Sequence, residues 1–106
     1  MREISVRELA EWRASGKPFV LLDVREDDEV RAASIPGAAH IPMGEIPARA
    51  GELDRSATVA VLCHHGSRSE RVASFLEAQG FTDVWNVEGG IHAYAVEVDP
   101  AIPTYR

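Results

Sequence analysis

An α/β fold, with a small and mostly parallel central sheet flanked by helices on both faces, is predicted by three features of this chain. Phe19-Val20-Leu21-Leu22 and Thr58-Val59-Ala60-Val61-Leu62 are nearly unbroken apolar runs, too short for buried helices but suited to strands covered on both faces. The capping patterns Ser5-Val6-Arg7-Glu8 and Ser67-Arg68-Ser69-Glu70 each open a helical segment. Strands that alternate with helices in this way imply a parallel sheet.

The elements follow in order. Ile4 belongs to a short first strand, and the first helix runs from the Ser5 cap to about Ala14, ended by Gly16 and Pro18. After the Phe19 strand, Asp27 or Asp28 caps a short helix to about Ala33. Ile35-Pro36-Gly37-Ala38 reads as a turn, Ala39-His40-Ile41 as a short strand, and Glu45 to Arg49 as a brief helix among Pro42, Gly44 and Pro47. In the helix that follows the Thr58 strand, Val72, Phe75, Leu76 and Gln79 recur at helical spacing, the first three facing the core. Gly80 stands where a left-handed cap belongs. Val84 to Val87 form a last strand, followed by a Gly89-Gly90 turn and a helix from about Ile91.

Composition narrows the function. A chain of 106 residues fits one domain over residues 1–106, with no repeat or linker to divide it. Its 45% hydrophobic and 26% charged residues are those of an ordinary soluble globular protein. The single cysteine excludes an internal disulfide, so the fold does not depend on an oxidising compartment. No leader pattern or membrane-length apolar run is present, which predicts a cytoplasmic protein without a membrane partner. A net charge of −6 argues against nucleic acid, since phosphate contacts need clustered cations. Around the cysteine, however, His64, His65, Arg68 and Arg71 face one acid, Glu70, and such an island suits a small anionic ligand. Arg71 reads equally well as a solvated helix residue.

Cys63 is the residue with chemistry. It ends a buried strand and precedes a helix, the position at which open α/β sheets gather ligands. Gly66 lets the intervening loop turn backbone N–H groups inward, and a helix N-terminus adds partial positive charge, so the loop is expected to cradle an anion. Arg68 offers a forked pair of donors to a bound oxyanion. The same field is expected to favour thiolate over thiol. The alternative is a buried, inert cysteine, which this loop and helix start argue against.

These residues carry a family resemblance. Cys63-His64-His65-Gly66-Ser67-Arg68-Ser69 resembles the C-x-x-G-x-R-S loop of rhodanese-like sulfurtransferases. Leu21 to Glu26 resembles the family's L-x-D-V-R-E strand end, and Ile35 to Pro42 its I-P-G-A-x-x-I-P segment. Val87-Glu88-Gly89-Gly90-Ile91 resembles the element before its last helix. The four segments keep the family's order from about Ile4 to Tyr105. Ser34 departs from a frequent histidine, and Tyr94 from a frequent tryptophan.

The resemblance implies that Cys63 takes a sulfane sulfur from a small anionic donor such as thiosulfate, forming a persulfide. It also implies a thiophilic acceptor: cyanide, a thiol or a protein. Loop residues Gly66, Ser67, Arg68 and Ser69 would bind the donor, and no cofactor is implied; His64 and His65, at variable positions of the loop, read as steering anions or meeting an acceptor, and equally well as exposed, solvated imidazoles. Related cysteine phosphatases use a loop one residue longer than the C-x4-R spacing here, which turns the analogy away from phosphoryl transfer. A rival reading is a binding or sulfur-relay module with little small-molecule turnover. In either case no resolving cysteine exists, so the cargo leaves on another molecule.

Other residues carry blander expectations. Asp23 and Arg25 read as a polar pair that steadies the strand end beside the loop, rather than as a pair acting in proton transfer. Asp27, Asp28 and Glu29 read as a solvated helix start. No metal site is expected, because adjacent His64 and His65 do not easily address one ion and C-x-x-C and H-x3-H spacings are absent. Trp12, Phe75, Phe81 and Trp85 suit the core, although Trp85 and Tyr94 could instead line the approach to the loop. The tail from Asp99 to Tyr105 is expected to lie extended on the domain, or else to meet a partner.

Overall fold

The computed structural model describes residues 1–105, so the expected domain's last residue, Arg106, lies outside the described residues. Five parallel strands form one sheet: β1 (Arg2–Ile4), β2 (Val20–Asp23), β3 (Ala39–His40), β4 (Thr58–Leu62) and β5 (Asp83–Val87), in the order β1-β5-β4-β2-β3. The two longest strands pair with each other, Val59 beside Val84 and Val61 beside Asn86, and β2 lies along the other side of β4. The strand that leads into Cys63 is therefore the central one.

Side chains alternate across β4, as a strand requires. Ala60 and Leu62 join a core with Leu9 of α1 (Val6–Ser15) and Ile91 and Tyr94 of α5 (Gly90–Glu97). Val59, Val61 and Cys63 join the opposite core with Ile46 of α3 (Ile46–Arg49) and Val72, Ala73 and Leu76 of α4 (Ser67–Ala78). Helices cover both faces, and the alternation delivers the cysteine to the α4 side.

Local chemistry explains most element ends. The first capping box forms in full, with Glu8 N–H donating to Ser5 Oγ and Ser5 N–H to Glu8 Oε1, each at 3.1 Å. At the end of α4, Gly80 adopts φ 96°, its N–H donates to Glu77 O, and Phe81 N–H donates to Leu76 O. Those two bonds close the helix end in the manner expected of a left-handed glycine.

Two starts differ from expectation. The second capping pattern does not act as a box: Gly66, at φ 110°, is the N-cap of α4, and Ser67 is already helical. The loop there bends so that Gly66 N–H meets Cys63 Sγ, and a glycine in the left-handed region makes that bend. In α2 (Asp27–Ala32) the cap is Glu26, one residue before the expected aspartates, with its N–H bonded to Glu29 Oε1. Among the described residues, no helix is long and apolar enough to cross a membrane.

Candidate active site

Cys63 follows directly on β4, and its side chain is 1% exposed. Gly66 N–H points at Cys63 Sγ at 3.0 Å, and Ser69 Oγ lies 3.2 Å from the same sulfur. Ser69 is itself fully buried in the first turn of α4. Its hydroxyl also reaches Asn86 Oδ1, and Asn86 Nδ2 donates to Gly66 O at 3.2 Å and to Glu3 Oε2 at 3.1 Å. A polar chain from Glu3 through Asn86 and Ser69 thus braces the loop and the sulfur from below. Burial of this network leaves little room for substitution, since each member satisfies another's polar atoms.

The other side of the loop is held by α5. Ile91 N–H donates to Cys63 O at 2.9 Å, and His92 N–H donates to His64 O at 3.1 Å. These are first-turn donors of a helix, which have no partner within the helix. They draw the loop carbonyls outward. Gly90, at φ 60°, makes the approach possible, because a Cβ there would collide with the Cys63 and His64 carbonyls.

Arg68 is engaged within the chain. Its two terminal nitrogens donate to Glu29 Oε1 at 2.6 Å and Oε2 at 2.8 Å. That bond is the largest influence in holding the Glu29 carboxyl down at about 2, against the opposing effect of burial, with help from Glu26 N–H and Tyr105. The same ion pair raises the Arg68 guanidinium above its ordinary value. Glu29 is thus no part of a solvated helix start; its side chain is 17% exposed and cancels charge that the sequence assigns to an electropositive island.

Asp23 and Arg25 form a buried pair, with Arg25 Nη2 2.6 Å from Asp23 Oδ2 and Nε 2.9 Å from Oδ1. Arg25 also donates to the carbonyls of Ala33 and Glu29 and to Tyr105 Oη. Burial pulls the guanidinium toward its neutral form, and the bonds to Asp23 and Tyr105 outweigh it. The pair ties β2 to α2 and the tail beside the loop.

The tail lies on the domain through buried Ile102, and it reaches further than expected. Tyr105 Oη accepts from Arg25 and donates to Glu29 Oε2 at 2.8 Å, while its ring stacks on His64 with centroids 4.0 Å apart and planes 10° from parallel. Burial, assisted by the Glu29 carboxylate, pushes the Tyr105 hydroxyl up to about 12. Burial and the neighbouring His65 together hold His64 below the usual imidazole range.

Beside the loop lies an open groove of about 530 Å³ lined by Glu3, His65, Gly66, Ser67, Glu70, Asn86, Glu88 and Gly89. Neither Trp85 nor Tyr94 lines it. Trp85 packs edge-on against Trp12, and Tyr94 is buried with its hydroxyl accepting from Arg13. Arg71 faces a separate small cavity with Met43, Ile46 and Phe75, away from the loop.

A comparison of the whole chain with known families decides the membership: residues 5–97 match the Rhodanese-like domain. The chain belongs to this family. Among relatives, the putative sulfurtransferase YtwF of Bacillus subtilis is 42% identical over 100 residues, covering 94% of this chain and 96% of YtwF. The chloroplastic Rhodanese-like/PpiC domain-containing protein 12 of Arabidopsis thaliana is 44% identical over 89 residues, 80% of this chain, which spans only 30% of that protein. A crystal structure of a rhodanese-like domain protein from Staphylococcus aureus superposes over 100% of both chains with a TM-score of 0.86 at 35% identity. The parallel sheet with helices on both faces is therefore the rhodanese-like fold.

The contacts that Asn86, Gly90, Glu29 and Tyr105 make in this rhodanese-like site go beyond what the sequence shows. Asn86 had a faint signal, as a lone amide inside the strand Val84-Trp85-Asn86-Val87. The Gly89-Gly90 pair signals a close backbone approach, although not to which carbonyls. Glu29 and Tyr105 have no local signal, because their partners lie 39 and 80 residues away in sequence.

Proposed function

We propose that this rhodanese-like chain is a sulfurtransferase that carries a sulfane sulfur as a persulfide on Cys63. The observation that supports this reading is the setting of the sulfur: at the end of the central strand, with Gly66 N–H aimed at Sγ and loop carbonyls drawn away by α5. One sign of backbone dipole then faces the sulfur, which suits an anion there. The family membership and the likeness to YtwF support sulfur transfer as the general chemistry.

With thiosulfate as donor, the Cys63 thiolate attacks the outer sulfur. A new S–S bond forms, the bond between that sulfur and the sulfonate breaks, and sulfite leaves with the electron pair. Cyanide or an acceptor thiolate, free or on a protein, then attacks the outer sulfur of the persulfide, and the Cys63 thiolate departs. Charge and atoms balance in both steps, with no outside oxidant. Such two-step covalent transfer gives ping-pong kinetics. In this proposal His64 to Ser69 form the donor-facing loop, and Arg68 exchanges its Glu29 partner for the donor's anionic end.

Incubation with thiosulfate followed by intact-mass measurement tests the reading. The expected result is a gain of one sulfur that Cys63→Ser abolishes. An unchanged mass across thiosulfate and several other sulfane donors contradicts it, and favours a binding or relay role.

A further inference from the structure

The structure supplies what the sequence lacked for a metal site: a third imidazole. His92 lies in the first turn of α5, and its backbone N–H holds His64 O. That contact places three rings together, with His65 between 4.0 Å and 5.0 Å from its neighbours by ring centroid and His64 6.0 Å from His92. One ligand nitrogen from each of His64, His65 and His92 lies within 4.8 Å of the others. The obstacle of adjacent histidines disappears, because the His64 and His65 rings lie face to face, tilted by 30°, on the same side of the loop as His92.

A second observation points to a ligand. His64 Nε2 and His92 Nδ1 are buried atoms with no hydrogen-bond partner among the described residues. Buried polar atoms without partners are uncommon and mark places that a water or ion completes. We propose that His64, His65 and His92 bind one divalent transition-metal ion of the zinc class, leaving a coordination position open.

The ligand chemistry selects that class. Imidazole nitrogen suits zinc, nickel and copper, whereas calcium and magnesium prefer oxygen. Three protein ligands with a fourth position open is a familiar zinc arrangement. Metal–nitrogen bonds of about 2.0–2.1 Å in a tetrahedron separate the nitrogens by roughly 3.4 Å, so the cluster must close by little more than 1 Å. His65 is exposed, so closing the cluster from its side meets no buried packing, while the Tyr105 stack steadies His64. Cys63 Sγ, held by Gly66 and Ser69, stands outside the cluster. This proposal is independent of sulfur transfer.

The test is titration of the full chain, free of any histidine tag, with Zn²⁺ by calorimetry and with Co²⁺ by visible absorption. One ion per chain is expected, with tetrahedral-type cobalt bands. His65→Gln and His92→Gln should each weaken binding at least tenfold, while Cys63→Ser binds as the parent does. Circular dichroism confirms that each variant is folded, and the exposed His65 keeps the test open if His92→Gln is not. Absence of uptake overturns the proposal, and so does uptake insensitive to either histidine. Uptake abolished by Cys63→Ser also overturns it, by assigning the ion to the thiolate.

Discussion

Arg68 grips Glu29 with both prongs of its guanidinium, at 2.6 and 2.8 Å, across 39 residues of sequence. An arginine next to a nucleophile reads naturally as a cation awaiting a substrate. Here that cation already has a carboxylate, so in the proposed reaction donor binding is an exchange of partners. Glu29→Gln removes the competing carboxylate and should lower the thiosulfate concentration for half-maximal persulfide formation several-fold. An unchanged or higher half-saturation point assigns Arg68 a structural role only.

The same carboxylate sets an acid limit on stability. Glu29 has its folded pKa lowered to about 2, so its contribution is present above the ordinary carboxylate range and lost as pH falls. Denaturation midpoints should decline from about pH 4.5 toward pH 2, the ordinary glutamate value being about 4.3–4.5. In Glu29→Gln the decline across that window should be shallower. Urea unfolding at a series of pH values measures it, and identical slopes in the two proteins contradict the assignment.

Gly90 is predicted to be intolerant of any side chain. Alanine there must adopt φ 60° and meet the Cys63 and His64 carbonyls. Left-handed strain and overpacking together should cost about 2–4 kcal/mol. Gly90→Ala should therefore lower the thermal midpoint markedly and slow persulfide formation, whereas Gly44→Ala, with open space around it, should do neither.

Tyr105 ties the tail over His64. Tyr105→Phe keeps the stacked ring but removes the hydroxyl between Arg25 and Glu29, a loss of about 1.5–3 kcal/mol for bonds to charged groups. Tyr105→Ala removes the ring as well, and should speed alkylation of the buried Cys63 by a neutral thiol reagent more than Tyr105→Phe does. Equal rates in the two variants would show that the ring does not guard the loop.

Much of this arrangement was legible in the chain because it depends on neighbours in sequence. The Ser5–Glu8 box, the Gly80 cap and the apolar runs of β2 and β4 are local, and each formed where periodicity and propensity put it. So did Cys63 at a strand end. The Ser67–Glu70 box failed because Gly66 takes the cap position to aim its N–H at the sulfur, a demand of the loop that overrides helix-start preference. Glu29, Asn86, His92 and Tyr105 were missed or misread because their partners come from other elements. An acid at a helix start looks solvated until the fold brings Arg68 to it.

The most direct test of the central claim is a single-turnover transfer. Protein loaded with thiosulfate and freed of excess donor is mixed with cyanide, and thiocyanate is measured against protein mass. A Cys63 sulfur carrier predicts one thiocyanate per loaded chain, with return to the unloaded mass and none from Cys63→Ser. Loaded protein that yields no thiocyanate, or a Cys63→Ser variant that yields as much, would contradict it.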